Sequence, residues 1–189
     1  MIHYYTNREI SEKLKINLAR WKRWSRAFLP PDPLGGLQSG YTRQYSFKDL
    51  FKVYLGGHLL SHLRLSLPES VLVLSDLSPW LNKNGFFDLK SPQLATSTGS
   101  AKGYRIYFFR SQASGSKTGS GFGYLIRHLV RIEDRPSPAR RQVTETLAET
   151  IFNSDAPDAD AFFKNPHIYL INLSALFAQL LEALHPSSP

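Results

Sequence analysis

Apolar residues in about the first eighty positions recur at helical spacing, and each run begins at a recognisable cap. The spacing at Thr6–Glu9 is that of a capping box and predicts a short first helix ending near Leu14. Asn17 is a good N-cap for a second helix over Leu18–Phe28, which the prolines Pro30–Pro31 end. Two short helices joined by a turn of about three residues have the spacing of a helix-turn-helix.

The segment after the second helix favours a turn and then strands. Residues 32–40 are rich in Pro and Gly, and Tyr41–Tyr45 favours strand, so a small β-ribbon is predicted. Two further capping boxes, at Ser46–Asp49 and Ser66–Glu69, predict a third and a fourth helix. Two adjacent glycines, Gly56–Gly57, would lie inside the third helix, where they indicate either a close packing contact or a weak point.

Strand-like runs follow beyond residue 82. The three runs that are rich in aromatic and β-branched residues are Phe86–Leu89, Tyr104–Arg110 and Phe122–Glu133. A last strand is predicted over Ile168–Leu173, and it leads into an amphipathic helix whose apolar stripe extends to Leu184.

Between these strands we predict one more helix and a loop. The helix would open at Ser137–Pro138 and carry Val143, Leu147 and Ile151 on one face, and the acidic residues 153–160 would form the loop. The predicted fold class is therefore α+β. A winged helix-turn-helix, mostly α with a small β-wing, would occupy residues 1–82, and an α+β domain with a small antiparallel sheet would occupy residues 83–189.

Charge is distributed unevenly along the chain, whose formal net charge is +8. Residues 1–66 carry eleven Lys or Arg against four Asp or Glu, whereas residues 67–189 carry twelve against eleven. This asymmetry suggests a polyanion-binding module attached to a nearly neutral one. The sequence has no cysteine, which excludes a disulfide framework and a thiolate metal site.

The basic residues of the second helix fall on one side of it at 100° per residue. The predicted core-facing residues are Leu18, Trp21, Ser25 and Phe28. The outer cations are Arg20, Lys22, Arg23 and Arg26. Such a face suits insertion into the major groove, where cations neutralise phosphates and Arg can pair with guanine. With Asn17 at the start of the helix, these four residues are the predicted DNA contacts.

The predicted wing would add further contacts. Tyr41, Arg43 and Tyr45 alternate with polar residues and share one face of a ribbon. Arginine and tyrosine hydroxyls on an exposed ribbon suit phosphate contacts, which set register rather than read bases. The alternative is that the tyrosines pack against the third helix, and we favour this alternative for Tyr45.

The order of these parts resembles the DNA-binding domain of the MerR family of transcription regulators. The matching pieces are Tyr5–Thr6, Leu29–Pro31, Gly40–Ser46, Asp49–Leu50 and Leu65–Glu69. The resemblance covers roughly residues 4–77 and implies a winged helix-turn-helix that binds operator DNA, usually as a dimer on a palindrome. It further implies that Arg20, Lys22 and Arg23 lie on the recognition helix and that Arg43 faces phosphate.

The chain also departs from that family. Members typically continue from the fourth helix into a long helix that forms a dimer coiled coil. Here Pro79, Asn82, Asn84 and Gly85 interrupt the chain at that point, so neither this dimer nor promoter untwisting is implied. Metal-sensing members use cysteines, which this chain lacks.

Other candidate sites have weaker patterns. His58 and His62 have a spacing that can chelate a metal, but no accompanying Glu completes the HExxH pattern, and we interpret them as structural. Gly115–Thr118 lacks the adjacent Gly-Lys pair of a phosphate loop. No spacing supports an acid/base pair or a nucleophile. We therefore predict no enzyme activity, no cofactor and no metal.

The leading hypothesis is a cytoplasmic, sequence-specific transcription regulator whose partners are double-stranded DNA, a second copy and a small-molecule effector. The start lacks an apolar signal-peptide core and no uncharged stretch could span a bilayer, so no membrane association is predicted. One alternative is an architectural or recombination-associated, excisionase-like DNA binder. Another is a DNA-addressed sensor whose pocket is lined by Tyr104, Tyr107, Tyr124 and Tyr169.

Overall fold

The computed structural model describes residues 4–32, 42–88, 103–111, 121–135 and 142–185. These residues form a mixed structure of helices and small antiparallel sheets, so the predicted α+β class is confirmed. The chain divides into two compact units, Met1–Ser91 with Phe177–Pro189, and Pro92–Leu176. The first unit thus includes the end of the chain. No helix in the described ranges combines the length and the apolar character needed to cross a membrane.

The first unit is mainly helical. In chain order it contains β1 (Tyr5–Thr6), α1 (Asn7–Leu14), α2 (Leu18–Phe28), β2 (Gln44–Tyr45), α3 (Phe47–Ser61), α4 (Leu67–Lys83) and the later part of α6 (Leu173–Leu184). β1 and β2 pair antiparallel, with Tyr5 opposite Tyr45. The described strand of the predicted ribbon therefore pairs with the N-terminal segment. Thr42 and Arg43, also predicted to be in the ribbon, are described but do not belong to a strand, and Tyr41 lies outside the described residues.

Side-chain caps determine where these helices begin. Thr6, Ser46 and Ser66 each accept a hydrogen bond from the backbone N–H three residues on, where an acidic side chain accepts one in return. The Asn17 side-chain oxygen accepts from the N–H groups two and three residues on, at 3.0 and 3.2 Å. The three predicted capping boxes and the predicted cap of α2 are confirmed.

The end of α4 is a Schellman motif. Gly85 has a positive φ of 76°, its N–H donates to the Asn82 carbonyl at 3.2 Å, and the Phe86 N–H donates to the Leu81 carbonyl at 3.0 Å. The strand predicted from Phe86 onward is wrong over the residues described, because this turn directs the Phe86 ring into the core instead.

An aromatic cluster joins α3 to α6. The Phe51 ring centroid lies 5.3 Å from that of Phe177 and 6.1 Å from that of Phe86. Phe47 meets Phe177 edge-on at 5.6 Å, and all four rings are buried. Aromatic pairs at these distances add to the stabilisation from burial alone. The last helix therefore completes the core of the first unit.

Two polar contacts hold the C-terminal end of α6. The Lys13 ammonium of α1 donates to the Leu184 carbonyl at 2.8 Å, which places a cation at a helix C-terminus. The Tyr5 hydroxyl lies 3.3 Å from Nε2 of His185. Burial raises the pKa of Tyr5, and the Glu9 carboxylate raises it further, so this hydroxyl stays protonated at neutral pH.

The second unit contains a four-stranded antiparallel sheet. Its elements are β3 (Tyr104–Ser111), β4 (Gly121–Arg135), β5 (Gln142–Phe152), α5 (Ala159–Phe163) and β6 (Tyr169–Asn172), and the strand order is β5-β4-β3-β6. A buried cluster of Phe109, Leu125, Ala159 and Phe162 packs one face of the sheet against α5. Apart from that beginning at Phe86, the predicted strands are confirmed.

The helix predicted from Ser137–Pro138 is wrong, because residues 142–152 form β5. Residues four positions apart lie on the same face of a strand as well as of a helix, since four is a multiple of the two-residue strand period. Leu147 and Ile151 share a sheet face for this reason, and the threonines of β5, Thr144, Thr146 and Thr150, favour strand. Residues 136–141 lie outside the described ranges.

Helix α5 lies partly within the segment predicted to be an acidic loop. Its N-cap is Asp158, whose carboxylate accepts from the Ala161 N–H at 2.7 Å. Phe162 is buried under the sheet and fixes the helix there. The acidic residues that suggested a loop therefore include the cap of a short helix.

Candidate nucleic-acid interface

Helix α2 presents an exposed face that is rich in cations. Its exposed charged side chains are Arg20, Lys22, Arg23 and Arg26, which we name the basic face. At 100° per residue they form one continuous arc, and Ala19 lies near its middle. The small side chain there allows a ligand to approach the helix closely. Asn17 is exposed at the start of the same helix, where its side chain caps the helix.

The inner face of α2 differs from the prediction at one edge. Leu18 is 37 % exposed, so its predicted place in the core is wrong, whereas Trp24 is only 7 % exposed. Trp21 and Ser25 are buried as predicted. Leu18 and Trp24 lie at opposite edges of the apolar arc, and the helix turns the tryptophan edge towards α3.

Two glycines of α3 make room for that edge. A Cβ atom at Gly57 would lie 2.3 Å from carbons of the Trp24 ring, and one at Gly56 would lie 2.6 Å from the Phe28 ring. Real side chains do not tolerate such distances, so α2 rests directly on the α3 backbone. Of the two interpretations of the glycine pair, the close packing contact is correct.

The cations of the basic face lack carboxylate partners. Arg26 Nε donates to the Lys22 carbonyl of the same helix at 3.3 Å. Within the described parts of the chain, none of the four forms an ion pair with Asp or Glu. Their charge therefore remains available to an anionic partner.

A cleft of about 890 Å³ lies along one side of the basic face. Lys22 and Arg26 line it from α2, Arg8 lines it from α1, and Arg43 lines it from the residues before β2. Asp32 is the one carboxylate among the described residues that line it. We name this concavity the basic cleft. It brings the predicted wing arginine and two predicted helix cations to one surface.

The other side of the basic face borders a second groove. Arg20 and Arg23 line this groove of about 570 Å³ together with Trp24, Leu60 and Leu67. The four cations thus extend from one concavity to the other across the exposed ridge of α2.

Tyr45 lies beneath the basic cleft rather than on its surface. Only 1 % of the residue is exposed, and its ring meets Trp21 edge-on at 5.6 Å. Its hydroxyl donates to Asn7 Oδ1 at 2.7 Å and lies 2.8 Å from Ser25 Oγ. Tyr45 is therefore buried, as the alternative that we favoured requires, but that alternative named the third helix, whereas the ring and hydroxyl contact α1 and α2. Its predicted DNA contact is not available in this arrangement.

Arg8 and Asn7 are cleft residues that the sequence analysis missed. Both belong to the first turn of α1, next to the Thr6 cap. The helical period of α2 and the wing alternation gave no information on α1, whose position beside the cleft depends on tertiary packing. The signal available in the sequence was that Arg8 is a basic residue at the start of α1, the helix that precedes the basic helix α2.

The His58 and His62 rings stack at a centroid distance of 4.5 Å on α3. Burial lowers the pKa of His58, and the neighbouring His62 lowers it further, so His58 favours the neutral form. Among the residues described, no cluster of three or more His, Cys, Asp or Glu could hold a metal ion. The two histidines thus pack against each other, and the described residues supply no third ligand beside them.

The four tyrosines named for a sensor pocket do not share one face of the sheet. Tyr124 and Tyr169 lie opposite Phe108 on its two sides, whereas Tyr107 is on the other sheet face, next to Phe163. A cavity of about 580 Å³ in this unit has Tyr169 in its lining but none of the other three. One sheet face therefore does not present all four tyrosines to a ligand.

Comparison of the sequence with known protein families gives no match. Comparison with curated proteins gives no match either.

Proposed function

We propose that this chain binds double-stranded DNA by placing α2 in the major groove, as its resemblance to the MerR family implies. The observation that supports this proposal is the basic face, four exposed cations without carboxylate partners among the described residues, beside the basic cleft. Such cations gain free energy by releasing counterions from DNA phosphates. The major groove is wide enough to admit a helix.

The geometry suggests a division of roles. Arg23 lies near the middle of the exposed arc, where a guanidinium can reach a guanine edge and donate two hydrogen bonds. Lys22, Arg26 and Arg43 line the basic cleft, which suits a sugar-phosphate strand. In this proposal the helix reads the bases and the cleft sets the register.

Salt-dependent binding tests the proposal. We would measure the affinity of the full chain for labelled duplexes by fluorescence anisotropy between 50 and 300 mM KCl. Replacing Arg23 by Ala should weaken binding by about 1–3 kcal/mol and relax sequence preference, whereas Arg43→Ala should weaken all sequences alike and reduce the salt slope by about one. Affinity for every duplex that is unchanged by salt would contradict the proposal.

We further propose that the protein is a transcription regulator that acts as a homodimer. Two-fold symmetry then requires two half-sites about one helical turn apart. Capture of genomic DNA fragments by the full chain, followed by sequencing, would test this. A single palindrome would support the regulator, whereas cooperative spreading or strong bending in footprints would support the architectural alternative.

A further inference from the structure

The Tyr45 hydroxyl connects three separate segments. Its two partners belong to α1 and α2, at 2.7 Å to Asn7 Oδ1 and 2.8 Å to Ser25 Oγ, while Tyr45 itself belongs to β2. β2 has only two residues and pairs only with the two residues of β1 in the described chain. A pairing this short is marginal alone. The two hydrogen bonds of the hydroxyl therefore anchor β2, which its short pairing with β1 would hold only weakly.

The Tyr45 ring also carries a cation. The Arg43 guanidinium carbon lies 5.6 Å from the ring centroid, within the range of a cation–π contact. Trp21 meets the same ring edge-on at 68°. The ring is thus held at its edge by the tryptophan and at its hydroxyl by two hydrogen bonds. A ring fixed in this way fixes the place of the guanidinium above it.

We propose that Tyr45 is a positioning residue that sets the distance between Arg43 and the α2 cations Lys22 and Arg26. This inference rests on the proposed function, since it concerns how that site engages DNA. Two phosphates of one strand have a fixed separation, so cations that bind them together need a fixed separation too. Tyr45 fixes the separation of these cations without touching DNA.

The test combines Tyr45→Phe with Arg43→Ala in a double-mutant cycle. Tyr45→Phe keeps the ring but removes the hydroxyl that orients it. We expect it to weaken duplex binding by up to about tenfold and to lower the salt slope by up to one, as loss of a phosphate contact does. In the Arg43→Ala background the same substitution should change neither quantity, because the cation it positions is gone.

A matched control is Tyr54→Phe, which removes the hydroxyl of a half-buried tyrosine on α3 that makes none of these contacts. It should leave affinity and slope as in the wild type. Ser25→Ala is the second variant, used also if Tyr45→Phe fails to fold. It removes one of the two hydroxyl partners and should weaken binding in the same direction, again only when Arg43 is present.

The outcomes separate positioning from a structural role. A Tyr45→Phe protein that melts earlier but binds with the wild-type affinity and slope would overturn the inference, and so would an equal loss of affinity with and without Arg43. If the wild type itself shows no salt-dependent binding, the proposed function fails. If the wild type and Arg43→Ala behave as proposed while Tyr45→Phe and Ser25→Ala do not, only the positioning role is lost.

Discussion

The basic face of α2 and Arg127 of β4 show two opposite uses of cationic side chains. Arg127 Nε donates to Glu149 Oε1 at 2.6 Å, and its guanidinium carbon lies 4.6 Å from the Phe163 ring centroid. In the described chain, Arg23 of α2 has neither a carboxylate partner nor an aromatic one. The first arginine stabilises a sheet surface, whereas the second leaves its charge available.

This difference teaches that the partners of the cationic side chains, rather than the number of cations, distinguish a binding surface. The chain beyond residue 66 has one more cation than the chain before it, yet its acidic residues nearly balance them. A neutralised arginine contributes packing and a modest ion pair. An arginine without such a partner contributes to the field that attracts a polyanion.

Removing the available charge should have the largest effect. The double variant Lys22→Ala with Arg26→Ala should weaken duplex binding about a hundredfold and lower the salt slope by about two, since both residues line the basic cleft. Thermal stability should stay near that of the wild type, because both side chains are exposed. Anisotropy titrations and melting curves measure the two effects.

A control with the same loss of charge is Arg105→Ala with Lys164→Ala, two exposed cations of the second unit. This pair should change affinity much less. Equal losses from both pairs would mean that net charge, and not the basic face, governs binding.

The close packing of α2 against α3 gives the next prediction. Gly57→Ala should lower the free energy of unfolding by about 1–3 kcal/mol, because its Cβ would lie 2.3 Å from Trp24, although alanine favours helix. Urea denaturation measures the loss. Gly121→Ala is the matched substitution, since a Cβ there has no neighbouring atom within 4 Å. An equal response at both glycines would rule out the proposed contact between α2 and α3.

Removing the partnered arginine should give the converse result. Arg127→Ala should cost about 1 kcal/mol of unfolding free energy, from a partly exposed ion pair and a cation–π contact. Duplex affinity should not change. A loss of affinity without a loss of stability would place Arg127 in the binding surface and remove the contrast with α2.

The smallest expected effect concerns pH. The pKa of His58 is lowered in the folded state, so the unfolded chain takes up the proton first as pH falls below about 6.5. Stability should therefore fall from pH 7.5 to pH 5.5, and His58→Gln should show less of this fall. Urea midpoints of both proteins at the two pH values measure the difference. An equal pH dependence would mean that His58 has its ordinary pKa.

Local signals in the sequence were sufficient for the helices of the first unit. The caps at Thr6, Asn17, Ser46 and Ser66 act within three residues, so spacing alone reveals them. The basic face follows from the helical period in the same way. Leu18 was misplaced because the direction in which α2 leans depends on Gly56–Gly57, which belong to another helix.

Contacts between distant segments could not be predicted. The pairing of β1 with β2 joins residues forty positions apart, and Arg8 reaches the basic cleft only through that assembly. In the second unit, the helix predicted in place of β5 arose from a four-residue spacing that both structures share. Whether such a segment forms a helix or a strand depends on the strands beside it, and the sequence of the segment alone does not identify them.

The position of Phe177 has a consequence for how the protein is made. Its ring completes the cluster of Phe47, Phe51 and Phe86, yet it follows the last of them by 91 residues. During synthesis, α1 to α4 leave the ribosome long before α6 exists, so the aromatic core of the first unit stays open until Phe177 has been added. A nascent or truncated chain ending at residue 91 would expose that core. The unit that carries the surface we propose for DNA is therefore completed only after α6 has been made.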